Sequence, residues 1–328
     1  SDGQCFWTQP TSGTVLFHTV LPENILAKGK LPQTESFKGM VTGQKTFPLI
    51  PREEAPYRQI DYVGSYTAAS GCAIYEGGAW PEKWNYSYFV GEPTINIVSH
   101  YFVKKDGVSY TTEKEKGREE NEFMRSKDLW FRPVENRVGP DGALYVVDFY
   151  NQAVIHNDTR GPQHGPANAA VRPDRDHYFG RIWKVQHKDA KKFQVAKIDK
   201  KNTASLAKAS QDSNAHTRMT ANRLMLELGE AAKVETGSMV ERAYREIGDL
   251  RDVKNRQELI SRFSKAQDNW TKSSLVSAAS GSALEVIKDC LSATHTEGLN
   301  LLVEQLVPIA LRSSDKNSIS VLLKNAAA

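Results

Sequence analysis

Lys127 to Tyr150 reads KDLWFRPVENRVGPDGALYVVDFY. Trp130, Phe131, Val134 and Val138 lie before a turn, and Leu144, Tyr145, Val146, Val147 and Phe149 after it. These are residues that fit a pleated, half-buried strand. Gly139-Pro140-Asp141-Gly142 supplies the turn. Proline presets φ, aspartate bonds its own backbone, and glycine accepts positive φ. The stretch predicts a hairpin. One hairpin is marginal in water, so the reading requires neighbouring strands.

Upstream, Phe6-Trp7-Thr8 and Gly13–Val20 read as short strands. Leu21–Gln59 holds Pro22, Pro32, Pro48, Pro51 and Pro56 and keeps no period, which predicts a long ordered connection with one strand near Lys45–Ile50. Tyr62–Tyr75, Tyr86–Val90, Ile95–Val103 and Val108–Thr111 predict a four-stranded unit, with Asp106-Gly107 as a hairpin turn. The charged run Glu113–Glu122 reads as a solvated loop or short helix. Leu129–Val138, Ala143–Phe149, Ala153–Ile155 and Arg181–Gln186 predict the next unit.

Downstream the period changes. A lysine-rich linker precedes segments of helical spacing at His216–Leu228, Ser238–Ile247, Asn255–Ala266, Thr271–Ser280, Ala283–Ala293, Gly298–Arg312 and Lys316–Asn325. The predicted division is 1–187 β, 188–202 linker and 203–328 helical. Beyond Lys201 no strand is expected, and Val286, Ile287, Leu291, Leu301, Leu302, Leu306, Leu322 and Leu323 are expected to line one core.

The set FRPV, GPDGALYVVDFYN, Ile155-His156 and Gly180-Arg181-Ile182-Trp183-Lys184-Val185 resembles the late blades of glucose/sorbosone dehydrogenase-like β-propellers. It looks most like the membrane-bound dehydrogenases of the Planctomycetes/Verrucomicrobia type. The resemblance covers residues 1–185 well and 203–328 loosely. It implies a β + α multidomain chain, a partial propeller followed by HEAT-like repeats, usually fused to a cytochrome c domain. The activity it implies is oxidation of a sugar, alcohol or aldehyde in the periplasm or another extracytoplasmic, membrane-associated setting. Pyrroloquinoline quinone and Ca²⁺ would be the cofactors. Electrons would pass to a c-type cytochrome, with haem c only on a further domain or partner. In that family an Arg-x-Arg pair precedes the turn and contacts the quinone. Here Trp130 and Arg132 stand at those positions, and Thr94 stands where the family has a quinone-contacting lysine.

By resemblance, then, Arg132 is the first cofactor-binding candidate; a salt bridge between sheets is the structural alternative. Asp148 and Asn151 follow the second strand of the hairpin. Asp148 is a candidate to orient Arg132 or bind a hard cation, or else it caps its own turn. Asn157–Tyr178 and its flank carry His156, Asp158, His164, Asp174, Asp176 and His177. These three imidazoles and three carboxylates could build a metal site, but no fixed ligand spacing appears and the metal is left unknown. His156, at a strand end, reads instead as a structural histidine. His164 and His177 are the candidate general bases. Trp80, Trp84 and Tyr86 offer a sugar-stacking platform or simple packing, and His100 reads as packing.

Composition excludes several classes. Among 328 residues, 43 are basic and 39 acidic, with 21 basic and 22 acidic up to Val185 and the surplus dispersed beyond it. A dispersed surplus describes a solvated helical face, not a nucleic-acid site. No apolar run approaches a membrane span. Ser1-Asp2-Gly3-Gln4 carries no secretory leader; a mature secreted chain would lack one too, so this does not exclude secretion. Cys5, Cys72 and Cys290 form no Cys-x-x-Cys pattern. Cys5 and Cys72 either pair or remain buried thiols. The rival to the dehydrogenase is a non-catalytic propeller–solenoid scaffold for a protein or polysaccharide. Either way residues 1–185 hold material for about two and a half to three blades, so further blades are expected from a separate chain or segment packed on Cys5–Val20 and the 60–110 unit.

Overall fold

The computed structural model describes residues 4–10, 13–50, 66–151, 154, 178–192, 194–229, 255–293, 298–313 and 320. Among them the chain is mixed β and α. Three antiparallel sheets come first, and helices follow. The first sheet has the order β1 (Cys5–Trp7), β2 (Thr14–Thr19), β3 (Phe37–Thr42). The second runs β4 (Ser70–Tyr75), β5 (Ser87–Glu92), β6 (Ile97–Asp106), β7 (Ser109–Glu113), and β8 (Met124–Arg125) pairs with the start of β6. The third places β10 (Leu144–Asp148) between β9 (Pro133–Val138) and β11 (Arg181–Val185).

The β9–β10 hairpin is where the sequence put it. Gly142 N–H donates to the Gly139 carbonyl at 3.0 Å, and Asp141 Oδ1 accepts from the Ala143 N–H at 3.2 Å. Gly142 has φ +72°, and a Cβ there would run into Ala79. The first strand is shorter than expected. Asp128 caps the Trp130 and Phe131 N–H groups in a turn, so extended pairing begins only at Pro133.

Glycines let the second and third sheets approach. A Cβ on Gly71 would overlap the backbone of Glu135, and one on Gly91 the Pro133 carbonyl. Around this contact Tyr75, Trp80, Trp84, Phe89 and Val98 pack with Phe131, Leu144 and Val146. Burying side chains of this size contributes about 1.5–3 kcal/mol each. Trp80 and Trp84 are therefore core, not a stacking platform, while Tyr86 is half-buried in left-handed backbone (φ 61°). The first sheet meets the second through Val15, Leu16 and Val41 against Tyr88, Val90, Tyr101 and Tyr110.

Three further expectations fail. Lys45–Ile50 is irregular, and the strand lies earlier, where Phe37, Lys38, Gly39, Val41 and Thr42 pair with β2. The second sheet has a fifth strand, β8. The run Glu113–Glu122 is not wholly solvated: Glu122 is buried and pairs with Lys114 at 2.8 Å.

Beyond Lys201 every described element is helical: α2 (Thr203–Ala209), α3 (Ala215–Glu227), α4 (Arg256–Lys265), α5 (Asn269–Ala279), α6 (Ala283–Leu291) and α7 (Leu299–Ser313). A four-residue α1 (Glu23–Leu26) lies in the early connection. Sequence reading missed α2, whose Asn202 cap bonds Ser205 N–H, because alanine, serine and lysine there show little period. The segments 238–247 and 316–325, with Leu322 and Leu323, lie outside the described residues. Val286, Ile287, Leu302 and Leu306 share one buried cluster with Phe263, and Leu301 packs against it. Leu291 is half-exposed instead, at the end of α6.

The helices dock on the sheets at two places. Asn214 Nδ2 donates to the carbonyls of Gly77 and Gly139, and Arg218 pairs with Glu76. Elsewhere the Leu31 N–H donates to Ser273 Oγ and Trp270 Nε1 to the Glu35 carbonyl. Gly29 sits against Val276 and Ile309, whose side chains would have to shift to admit a Cβ.

Candidate functional site

Arg132 lies just before β9 and is fully buried. Its Nε donates to the Asn151 carbonyl at 3.0 Å, and one terminal nitrogen donates to the carbonyls of Pro93 at 2.8 Å and Thr94 at 3.2 Å. Pro93 and Thr94 follow β5 in a single helical turn, so the guanidinium joins the second and third sheets. The two positions that the resemblance aligns with cofactor contacts, Arg132 and Thr94, thus meet in space. They meet through main chain.

Asp148 ends β10 and is also fully buried. Its Oδ1 accepts the backbone N–H of Arg132 at 2.7 Å and of Tyr150 at 2.9 Å. Its Oδ2 accepts Arg181 Nε at 2.9 Å and Trp183 Nε1 at 3.1 Å. Asp148 therefore orients Arg132 through its backbone and spends its charge on Arg181. Arg181 in turn stacks 3.6 Å over the Tyr150 ring and reaches Asp128. Asn151 is buried beside them, its N–H on the Trp130 carbonyl at 3.0 Å. Three predicted site residues are thus brought together.

The fit to a quinone and Ca²⁺ follows from donor accounting. A carboxylate offers about four lone-pair sites, and those of Asp148 are filled by N–H donors. It has no oxygen left for a hard cation. Arg132 holds three carbonyls in a closed site, which does not fit a contact to a ligand carboxylate. Among the described residues no group of three or more His, Cys, Asp or Glu is placed to hold a metal. His156, His164 and His177, with Asp158, Asp174 and Asp176, lie outside the described residues. The chain leaves for that stretch next to Arg132, at Asn151, and the flanking strand β11 starts at Arg181 on Asp148.

Sequence reasoning missed a second buried carboxylate. Glu92 accepts from the N–H groups of Thr67, Ala68 and Thr94 at 2.8–3.1 Å, and its burial raises its pKa. A lone acid before Pro93 inside an apolar strand was the available signal. His100 is packing, as read: it lies among Trp84, Phe89, Phe102 and Phe123. Burial first, then Lys114, Arg118 and Lys83, lower its pKa to about 3.

An open cleft of about 760 Å³ lies elsewhere, between the ends of β4 and β9, the edge of β1 and the face of α3. Phe6, Ile74, Val138 and Met219 give it apolar walls, with Arg137 and Arg223 also lining it. Its parts come from five separate segments, and the sequence carried no pattern linking them.

Residues 1–189 match the family described as a domain of unknown function (DUF7133), and the chain belongs to that family. No curated protein and no solved structure matches it. No described helix is long and apolar enough to cross a membrane.

Proposed function

We propose that the chain is a non-catalytic, extracytoplasmic scaffold, in which the three sheets are successive blades of a propeller and the helices a HEAT-like solenoid. The observation that carries this is the engagement of Arg132. A guanidinium spent on the carbonyls of Pro93, Thr94 and Asn151 locks two sheets together and leaves the best cofactor candidate with a structural task. The partner is a protein of β-sheet character. Phe149, Phe179, Ile182 and Trp183 are exposed along the last strand and its flanks. An exposed apolar strip beside an edge strand suits pairing with further sheet.

The test combines quinone reconstitution with sedimentation. The chain, mixed with micromolar pyrroloquinoline quinone and Ca²⁺, is expected to retain no quinone absorbance, and to self-associate through the strip in a manner reduced by Ile182→Lys. Stoichiometric quinone uptake with dye-linked sugar oxidation overturns the scaffold. So does a strictly monomeric chain unaffected by that substitution.

The second reading is a quinone-linked sugar or alcohol dehydrogenase passing electrons to a c-type cytochrome. One observation favours it: the histidine-bearing stretch departs at Asn151, against Arg132. In that reading His164 or His177 takes the substrate proton. Loss of dye-linked oxidation in His164→Ala or His177→Ala, with quinone still bound, is its signature.

A further inference from the structure

The cleft beside α3 has the size of a small-molecule site and stands where sheets meet helices, a preferred place for one. Its apolar wall comes from Phe6, Ile74, Val138 and Met219. Its charge is lopsided. Among the described residues Arg137 pairs along its own strand, with Glu135 at 3.3 Å, and Arg223 along its own helix, with Glu227 at 3.4 Å. Both arginine side chains are about 70% exposed (73% and 68%), and solvated pairs of this kind contribute little. Either guanidinium can turn to another anion at little cost.

The negative side of the balance is small. Glu76, a lining carboxylate, is paired with Arg218, and its carbonyl takes the Ala215 N–H. Cys72 also lines the cleft; burial first, then Glu135, hold its thiol protonated, so it adds no charge. The first turn of α3 contributes Ala215 and His216 to the lining, which brings the positive end of that helix dipole toward the cavity.

We propose that this cleft binds a small amphipathic organic anion: an apolar body of roughly eight to ten carbons laid against the apolar wall, its carboxylate held by Arg137 and Arg223. The proposal stands apart from the scaffold reading, which concerns Arg132 and the strip along β11. Calorimetric titration of the full chain with sodium octanoate and with octyltrimethylammonium tests it. Octanoate is expected to bind at least tenfold more tightly, and an Arg137→Gln/Arg223→Gln variant to lose at least tenfold in octanoate affinity. The exposure of both arginines leaves folding intact, and circular dichroism verifies it. A ¹³C-methyl signal from Met219 is expected to shift on titration and identifies the cleft. Absence of octanoate binding up to millimolar concentration overturns the proposal. Equal affinity for the cationic probe, or binding unchanged in the double variant, does so too.

Discussion

A terminal nitrogen of Arg132 donates to the main-chain carbonyl of Thr94 at 3.2 Å, across 38 residues of sequence. The same guanidinium holds Pro93 and Asn151, so three carbonyls in a closed site depend on one side chain. A lysine carries a point charge on a flexible stem and cannot present this planar fork. Arg132→Lys is expected to cost about 2–4 kcal/mol of unfolding free energy, since buried acceptors are left unsatisfied. Urea unfolding measures it. A loss under 1 kcal/mol would mean that the site tolerates an empty fork, and the keystone role would be abandoned.

Asp148 carries four donors on two oxygens. Asparagine keeps one acceptor and presents an N–H₂ group to donors on the other side. Asp148→Asn is therefore expected to cost about 2–3 kcal/mol, below the 3–5 typical of a broken buried pair because Arg181 is one-third exposed. Near-ultraviolet dichroism of Trp183 should change with it. An unaltered spectrum and stability would show that Asp148 acts as a turn cap alone.

Asn214 joins helices to sheets. Its Oδ1 caps α3 at the Thr217 N–H, and its Nδ2 reaches the carbonyls of Gly77 and Gly139, in the loops that follow β4 and β9. Asn214→Ala removes a cap worth about 1 kcal/mol and two buried hydrogen bonds of similar worth. The expected total is about 2–3 kcal/mol. Far- and near-ultraviolet unfolding transitions that coincide in the wild type should separate in the variant. Transitions that stay coincident, with stability unchanged, would place the coupling entirely in the contact around Leu31 and Trp270.

The hairpin Pro133–Asp148 and the helical half were legible because their information is local: a turn at 139–142, a period of 3.6 beyond Ala215. The Arg132–Asp148–Asn151 convergence was legible as a set of positions, but its chemistry was not. Nothing in the sequence near Arg132 says that carbonyls 19 and 39 residues away will take its N–H groups. The burial of Trp80, Trp84 and Glu122 likewise depends on which sheet covers which. So does the cleft beside α3. Long-range packing decided each of these, and a single sequence carries no record of it.

His100 gives the chain a pH dependence with a defined sign. Its imidazole is enclosed by aromatic rings, and its Nε2 has no hydrogen-bond partner among the described residues. Lys83, Lys114 and Arg118 oppose a further positive charge, outweighing Glu115 and Glu122 beside them. The native pKa is depressed to about 3 from the ordinary 6.5. Between those values the unfolded chain binds a proton that the native chain does not, so stability falls as pH drops below about 6.5 and the loss is complete near 3. One proton changes the unfolding free energy by about 1.4 kcal/mol per pH unit at most. His100→Leu removes that proton while keeping an apolar filling. The stability of the variant relative to wild type should rise as pH is lowered from 6.5 to 4, by about 1 kcal/mol or more per unit in the steepest part. Urea titrations at half-unit intervals provide the comparison, and carboxylates common to both proteins cancel. Parallel curves across that range would mean that His100 is protonated in the native state, and that the aromatic enclosure does not keep it neutral.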